Sequence, residues 1–553
     1  MTFPADWVTP WPAQTAAHYR AAGVWNGTTF GAVLTESAAR HGDRVAVRDA
    51  VRSWTYRELN TDAHRLAAGL HLSGLRAGDR VLVQLPNIGE FVVVLFALLR
   101  LGAVPVLTQP AHRDHEVGQL AAQSEAVAYI VPDVHFGYDF RALAARIAAR
   151  TPSLRHVFVV GEPGAARALS QLYADPAYLA TPQPSDIALL QLSGGTTSVP
   201  KLIPRTHDDY AYSVRASLQV CPLGPDDVYL CVLPVAHNFA LSSPGVLGAL
   251  YAGATVVLSP TPSVDDAFAL IARHRVTVTA VVPPIAMLWL GAARDTGFDL
   301  SSLRVLQVGG ARFKTSAAEE VSDVLGCRLQ QVFGMAEGLV NYTRLDDPDE
   351  LVVQTQGRPM SELDEVRIVD DDDRPVPDGA PGHLLTRGPY TIRGYFRAPE
   401  HNTRAFTADG FYRTGDIVRR LASGHLMVVD RAKDVVNRGG EKVPSEEVEE
   451  HLIRHPKVSD TAIVAEPHDI LGERVCAFVV SHAESPKAKE LKVFLRDSGL
   501  AAYKIPERFE FVEALPRTAV GKIDKKALRA RLAAGRHSAT DASARFVGNV
   551  GER

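Results

Sequence analysis

Residues 192–201 read LSGGTTSVPK, and the fold turns on how that decapeptide is read. Glycines let backbone N–H groups converge and hydroxyls add further donors, so the stretch suits an anion. A phosphate loop of the G-x-x-x-x-G-K-[ST] type puts lysine directly after its last glycine and a hydroxyl residue directly after the lysine. Here Lys201 follows Val-Pro and is followed by Leu202. The P-loop fold is therefore excluded. Taken alone, the decapeptide fits either an anion-holding loop or a flexible surface turn, and the surrounding sequence has to decide.

Outward from it, the dominant pattern is alternation. Short β-branched runs such as RVLVQL (80–85), AVAYIV (126–131), HVFVV (156–160), ATVVLS (254–259), VTVTAVV (276–282) and RVLQVGG (304–310) are separated by helix-like stretches, among them TDAHRLAAGLHLSG (61–74) and DDAFALIARHR (265–275). Apolar strands separated by helices predict parallel sheet covered on both faces, an α/β fold. After about residue 350 the texture changes: EVRIVDDDDRPVPDGAPGHLLTRG reads as hairpin strands around an acidic turn, a small β-barrel-like part. A second break follows GHLMVVDRAKD (424–434). Beyond it helix (SEEVEEHLIRHP), strand (TAIVAEP), strand (VCAFVV) and helix (AKELKVFLRDSG) predict a small α+β domain. The expected division is a core of residues 1–432, a mobile C-terminal domain of 433–535 and a disordered tail of 536–553.

The chain of 553 residues is too long for one core. Its 46% apolar and 22% charged residues are ordinary for a globular enzyme, and a net charge of -4 excludes the counterion-release binding of a polyanion. No aromatic and basic residues interleave as a nucleic-acid stacking surface requires. Cys221, Cys231, Cys327 and Cys476 stand far apart without a C-x-x-C pair, which fits a reducing compartment. The start, MTFPADWVTPWPAQ, has neither the basic nor the apolar region of a signal peptide, and FVVVLFALL (91–99) is too short to span a bilayer and reads as a buried helix. A soluble, cytoplasmic protein with no membrane or nucleic-acid partner is expected.

LSGGTTSVPK resembles the phosphate loop of the adenylate-forming superfamily of acyl-CoA synthetases, luciferases and peptide-synthetase adenylation domains. The resemblance continues in order through VGGARF (308–313), QVFGMAEG (331–338), FYRTGDI (411–417), DRAKDVVNRGGEKV (430–443) and LPRTAVGKIDKKAL (515–528), and so covers essentially the whole chain. PRTHDDY (204–210), AHNFALSSPGVLGALYAG (236–253) and FGMAEGLVNYTRLDDP (333–348) are similar to a narrower group, the stand-alone aryl-acid–AMP ligases of siderophore biosynthesis, above all those that activate 2,3-dihydroxybenzoate.

The implied chemistry is electrostatic. An aryl carboxylate is already ionised at neutral pH and needs no general base, but it must approach the α-phosphorus of ATP, itself an anion. Positive charge, backbone donors and in-line positioning are what the site has to supply. The resemblance gives Ser193, Gly194, Gly195, Thr196, Thr197 and Lys201 the phosphates; Gly309, Gly310 and Ala311 with Val332, Phe333, Gly334 and Met335 the adenine; Asp416 and Arg431 the ribose and phosphate; and Glu337 the magnesium ion. Lys522 and His237 are the implied catalytic residues, Lys522 bridging the acyl carboxylate and the α-phosphate as a compact point charge. Lys433 stands at the implied hinge, and Gly439 and Gly440 at the implied pantetheine tunnel. Ser198, where the superfamily usually has glycine, and Asp430, where it usually has glycine before Arg431, depart from the pattern.

For the acid, the resemblance points to His237, Asn238, Phe239, Ser243, Gly309, Ala336, Val340 and Lys522. Phe239 stands where related ligases commonly carry tyrosine. Serine at 243 and valine at 340 resemble the 2,3-dihydroxybenzoate class, whereas salicylate enzymes tend to cysteine and leucine. The implied reaction joins ATP and the acid, with Mg2+, and hands the acyl group to the phosphopantetheine thiol of a separate aryl carrier protein, since no carrier motif follows Lys522. Salicylate activation, an arylate–CoA ligase and a catalytically silent adenylate-binding protein remain as alternatives; the intact Glu337, Asp416 and Lys522 speak against the last.

Overall fold

The computed structural model describes residues 4, 7–176, 179–193, 201–431, 435–482, 484–516, 523–525 and 527–533. Its contacts divide the chain into two compact units that meet in sequence at residues 432 and 433.

The first unit is built on two large sheets. One has seven strands and carries the parallel strands Val104–Leu107, Arg80–Val83, Ala128–Pro132 and His156–Val160. The other has nine, and its parallel core runs Arg328–Gly334, Val305–Gly309, Val278–Val281, Val228–Cys231, Thr255–Leu258 and Val45–Arg48. Side chains alternate across each strand. Val81 and Val83 enter one core while Leu82 enters another; Tyr229 and Cys231 likewise face away from Leu230. The core shared by both sheets takes in the helices Phe30–His41, Tyr56–Leu72, Gly89–Leu101 and Gly245–Ala252, so these lie between the sheets. Val264–His274, Pro283–Ala293 and Thr315–Leu325 cover the outer face of the nine-stranded sheet, and Asp114–Ser124 and Phe140–Arg150 that of the seven-stranded one. The layers are helix, sheet, helix, sheet, helix.

Gly89–Leu101, the helix that contains FVVVLFALL, is apolar all round because it lies in the central layer, where both faces meet protein. Antiparallel strands end both sheets near the chemistry: Leu202–Thr206 returns along Ile187–Leu192, and Val340–Tyr342 along Arg328–Gly334. A separate antiparallel sheet of Glu365–Val369, Gly382–Arg387, Tyr412–Arg420 and Leu426–Arg431 completes this unit.

The second unit is α+β. Val458–His468 pairs with Gly472–Ser481 along their whole length, and Arg508–Phe511 runs parallel to the latter. The helices Ser445–Leu452 and Ala488–Asp497 close one face of this sheet through Val448, Leu452, Leu491 and Leu495, while Leu528 and Leu532 pack on the other. Among the described residues no helix of either unit is long and apolar enough to cross a membrane.

Candidate active site

The decapeptide opens the site. Ser193 N donates to the Lys201 carbonyl at 2.9 Å and Lys201 N donates to Ser193 Oγ at 3.0 Å. These bonds close the neck of a connection between antiparallel strands in which Leu192 faces Leu202. A Walker lysine opens a helix; Lys201 opens a strand, which is the structural reason the P-loop pattern fails here. Gly194, Gly195, Thr196, Thr197 and Ser198 lie outside the described residues.

Lys201 is buried, and its ammonium lies 5.9 Å from the centre of the Tyr395 ring. Tyr395 Oη donates to Glu337 Oε1 at 2.7 Å and lies 2.9 Å from Tyr412 Oη. Burial first, and the Glu337 charge second, hold both phenols well above their usual range, so they stay neutral donors. Glu337 is 7% exposed. A carboxylate oriented by neutral hydroxyls offers hard oxygen to a divalent cation, and magnesium is commonly held by one or two carboxylates plus substrate phosphates. The fit is good. Tyr412 begins the strand that carries Asp416. There Gly415, with φ of +77°, lies in a bulge: His383 pairs with Ile417 but Leu385 pairs with Arg413. The extra residues re-aim Asp416, whose N donates to Thr414 Oγ1. Arg431 stands directly opposite Asp416 in the ladder.

A second cluster forms around Arg205, 1% exposed. Its Nε donates to Asp209 Oδ1 at 2.7 Å, and its two terminal nitrogens donate to the Ala336 and Tyr390 carbonyls at 2.9 and 3.2 Å. Asp209 also accepts from Thr206 N and Oγ1, closing the capping box of the helix His207–Val220. One residue on, Tyr210 Oη accepts from Gln191 Nε2 at 3.3 Å and donates to Asn238 Oδ1 at 2.8 Å. Ser242 Oγ donates to the Asn238 carbonyl at 3.1 Å and lies 3.2 Å from the same Oδ1. With Oδ1 engaged by Tyr210, the Asn238 NH2 is set as a donor. His237 caps this short helix by accepting from Phe239 N at Nδ1, which leaves the ring proton on Nε2.

The strand Arg328–Gly334 divides the remaining residues between its two faces. Val332 lies beside Gly309 and Tyr342, and Gly334 beside Val340. These side chains share one core with Phe239. Gly309 has to be glycine: a Cβ would stand 2.7 Å from the Val332 carbonyl and 3.0 Å from the Phe239 ring. Ser243 is 3% exposed, and the Tyr342 hydroxyl donates to Ser217 Oγ at 2.9 Å. On the opposite face Phe333 packs against the cluster of Leu339, Leu384, Val418 and Leu426, toward the antiparallel sheet that bears Asp416.

The pattern of the AMP-binding enzyme family matches residues 34–396, and that of the AMP-binding enzyme C-terminal domain matches residues 447–522. The chain belongs to the AMP-binding enzymes. It is 58% identical over 521 residues to the 2,3-dihydroxybenzoate-AMP ligase of Bacillus subtilis, which covers 94% of this chain and 97% of that protein. With the salicyl-AMP ligase / salicyl-S-ArCP synthetase of Mycobacterium tuberculosis it shares 49% over 527 residues, 94% of this chain and 93% of that one. The apo structure of Mycobacterium smegmatis MbtA superposes with a TM-score of 0.74 at 49% identity, covering 94% of this chain and 98% of the other.

Of the residues expected from the sequence of this AMP-binding enzyme, the first unit holds Ser193, Lys201, His237, Asn238, Phe239, Ser243, Gly309, Gly310, Ala311, Val332, Phe333, Gly334, Met335, Ala336, Glu337, Val340 and Asp416. Gly439 and Gly440 form the two-residue turn between Val435–Arg438 and Glu441–Pro444, both with positive φ, which by itself calls for glycine. Lys433 and Lys522 lie outside the described residues, as does the tail. Arg205, Tyr210, Tyr390, Tyr395 and Tyr412 carried no expected role. Their signal lay inside quoted motifs, where PRTHDDY and FYRTGDI hold three of them, but nothing in a single chain says that Arg205 meets residue 336.

Replacing Arg205 with Met is expected to cost about 3–5 kcal/mol in unfolding experiments, because it strands the buried Asp209. Arg205→Met combined with Asp209→Asn should recover part of that loss. A separate titration is expected at Asp364, half-buried with a shielded Oδ1. Burial pushes its carboxyl up to about 8, against the pull of hydrogen bonds from Tyr390 and Ser361. The unfolded chain gives up this proton near pH ~4, so between about pH 4 and 8 unfolding releases it and stability falls as pH rises. Asp364→Asn should therefore gain in Tm over the wild type as pH goes from 5 to 8, and a constant difference would contradict the raised carboxyl.

Proposed function

We propose that this AMP-binding enzyme joins an aryl acid, 2,3-dihydroxybenzoate, to ATP and transfers the aryl group to the phosphopantetheine thiol of a separate aryl carrier protein in siderophore biosynthesis. One carboxylate oxygen attacks the α-phosphorus, the bond to the bridging oxygen breaks, and pyrophosphate leaves; no proton is transferred. Lys201 and the glycine-rich loop bear the leaving phosphates. Glu337, with its carboxylate held by Tyr395, takes the magnesium ion, which supplies charge neutralisation on those phosphates. Phe333 flanks the adenine and Asp416 takes the ribose hydroxyls, assisted by Arg431. His237 and Asn238 meet the aryl carboxylate and its ortho hydroxyl. The role of Lys522, between carboxylate and α-phosphate, rests on its motif alone, as do the hinge at Lys433 and the tunnel at Gly439 and Gly440.

The observation that supports the choice of acid is the buried hydroxyl of Ser243, together with valine at 340 in the core that holds Phe239 and Tyr342. A buried hydroxyl is the partner wanted by a 3-hydroxyl. Salicylate lacks that hydroxyl and would forgo the bond, which weakens its binding. The higher identity to the 2,3-dihydroxybenzoate-AMP ligase supports the same choice.

Aryl-acid-dependent pyrophosphate exchange tests the proposal. The expected kcat/KM for 2,3-dihydroxybenzoate exceeds that for salicylate by about tenfold or more, and Ser243→Ala narrows the gap. A preference for salicylate would sink the choice of acid, and no exchange with any aryl acid would sink the activity. Glu337→Gln is expected to lower exchange by about two orders of magnitude or more. Product masses with carrier protein and with coenzyme A as acceptors distinguish a carrier-loading ligase from a CoA ligase.

A further inference from the structure

Tyr390 and Asp364 belong to none of the motifs quoted above, yet they are linked to the strand that carries Val340. Val340 N donates to Tyr390 Oη at 3.2 Å, and Tyr390 Oη donates to Asp364 Oδ2 at 2.5 Å. Tyr390 is 1% exposed, and its own carbonyl is held by Arg205. The other hydrogen bond to Asp364 comes from Ser361 N at 3.4 Å, and Ser361 Oγ lies 2.7 Å from Tyr212 Oη.

Among the described residues no cation pairs with Asp364. It lines a cavity of about 530 Å³ that also contains Arg367 and Arg420, but both arginines are engaged elsewhere. Arg367 pairs with Asp409 and stacks on Phe411, while Arg420 donates to the Val366 carbonyl. A shielded carboxyl oxygen without a partner is costly, and aliphatic packing would serve stability better. What the carboxyl accomplishes is to accept the hydrogen bond of the Tyr390 hydroxyl, which turns the lone pairs of that phenol toward Val340 N–H.

We infer that Asp364 and Tyr390 are positioning residues that set the height of Val340 under the aryl ring, and through it the affinity for the acid and the discrimination between ring substituents. The inference rests on the aryl-acid reading above. Val340 also packs against Gly334, where a Cβ would stand only 3.1 Å from both of its methyl groups, so the floor has no slack on that side. Loss of the phenol leaves Val340 N–H buried without a partner, and the strand segment moves to find one. Tyr390 lies in the core of Val340 and Tyr342, and Phe333 packs on a different cluster.

Tyr390→Phe removes only the hydroxyl. In pyrophosphate exchange the expected result is an aryl-acid KM raised about tenfold, the equivalent of one unsatisfied buried donor. The kcat should stay within about threefold and the KM for ATP within about twofold, and the preference for 2,3-dihydroxybenzoate over salicylate should shrink. Asp364→Ala removes the acceptor and should reproduce this pattern, whereas Asp364→Asn restores an acceptor and should rescue the KM. A general loss of packing would move ATP and acid constants together and would not be rescued by asparagine. If Tyr390→Phe fails to fold in a thermal melt, the Asp364 pair gives the same answer. Exchange by the wild type with unchanged acid constants in these variants overturns this inference alone. Absence of aryl-acid exchange in the wild type overturns the proposed function and this inference with it.

Discussion

The guanidinium of Arg205 ties together four segments that are far apart in the chain: its own strand, the helix capped through Asp209, the turn at Ala336 and the stretch around Tyr390. A planar fork holds its donors in fixed, diverging directions, so it reaches a carboxylate and two buried carbonyls at once, whereas an ammonium concentrates its donors on one atom. Its face lies 4.6 Å over the Tyr210 ring, and Tyr210 in turn fixes the Asn238 amide. Ala336 immediately precedes Glu337. One buried cation thereby sets the magnesium side and the acid side of the proposed site against each other, and its charge is balanced locally by Asp209 rather than by the substrate.

The division of labour across the strand Arg328–Gly334 follows from the period of two. Val332 and Gly334 face the compartment of Phe239, Val340 and Tyr342, while Phe333 between them faces the antiparallel sheet with Asp416. A strand paired on both edges is a rigid element, so it fixes these two compartments relative to each other. A one-residue slip in its register would exchange the two faces.

Buried hydroxyls do much of the orienting. Tyr395 and Tyr412 aim Glu337, and Tyr210 aims Asn238. Burial holds the phenols of Tyr395 and Tyr412 neutral, so each remains a donor across the pH range in which phosphates and aryl carboxylates are fully ionised.

By itself the sequence determined the alternating architecture, the buried helix at 89–101 and the α+β character of the second unit, and it supplied the contiguous motifs on which the proposed site rests. Those properties are local, carried by periodicity or by contiguous motifs. It also excluded the P-loop, because the position of Lys201 relative to its glycines is written in the chain. Only tertiary structure decided that Lys201 opens an antiparallel strand, that a bulge at Gly415 re-aims Asp416, and that Phe333 and Val340 serve opposite faces. The same holds for Arg205, Tyr395 and the pair Tyr390 and Asp364. Each acts on a backbone group or side chain 26 to 185 residues away, and a hydrogen bond of that range leaves no periodic trace in the chain that makes it.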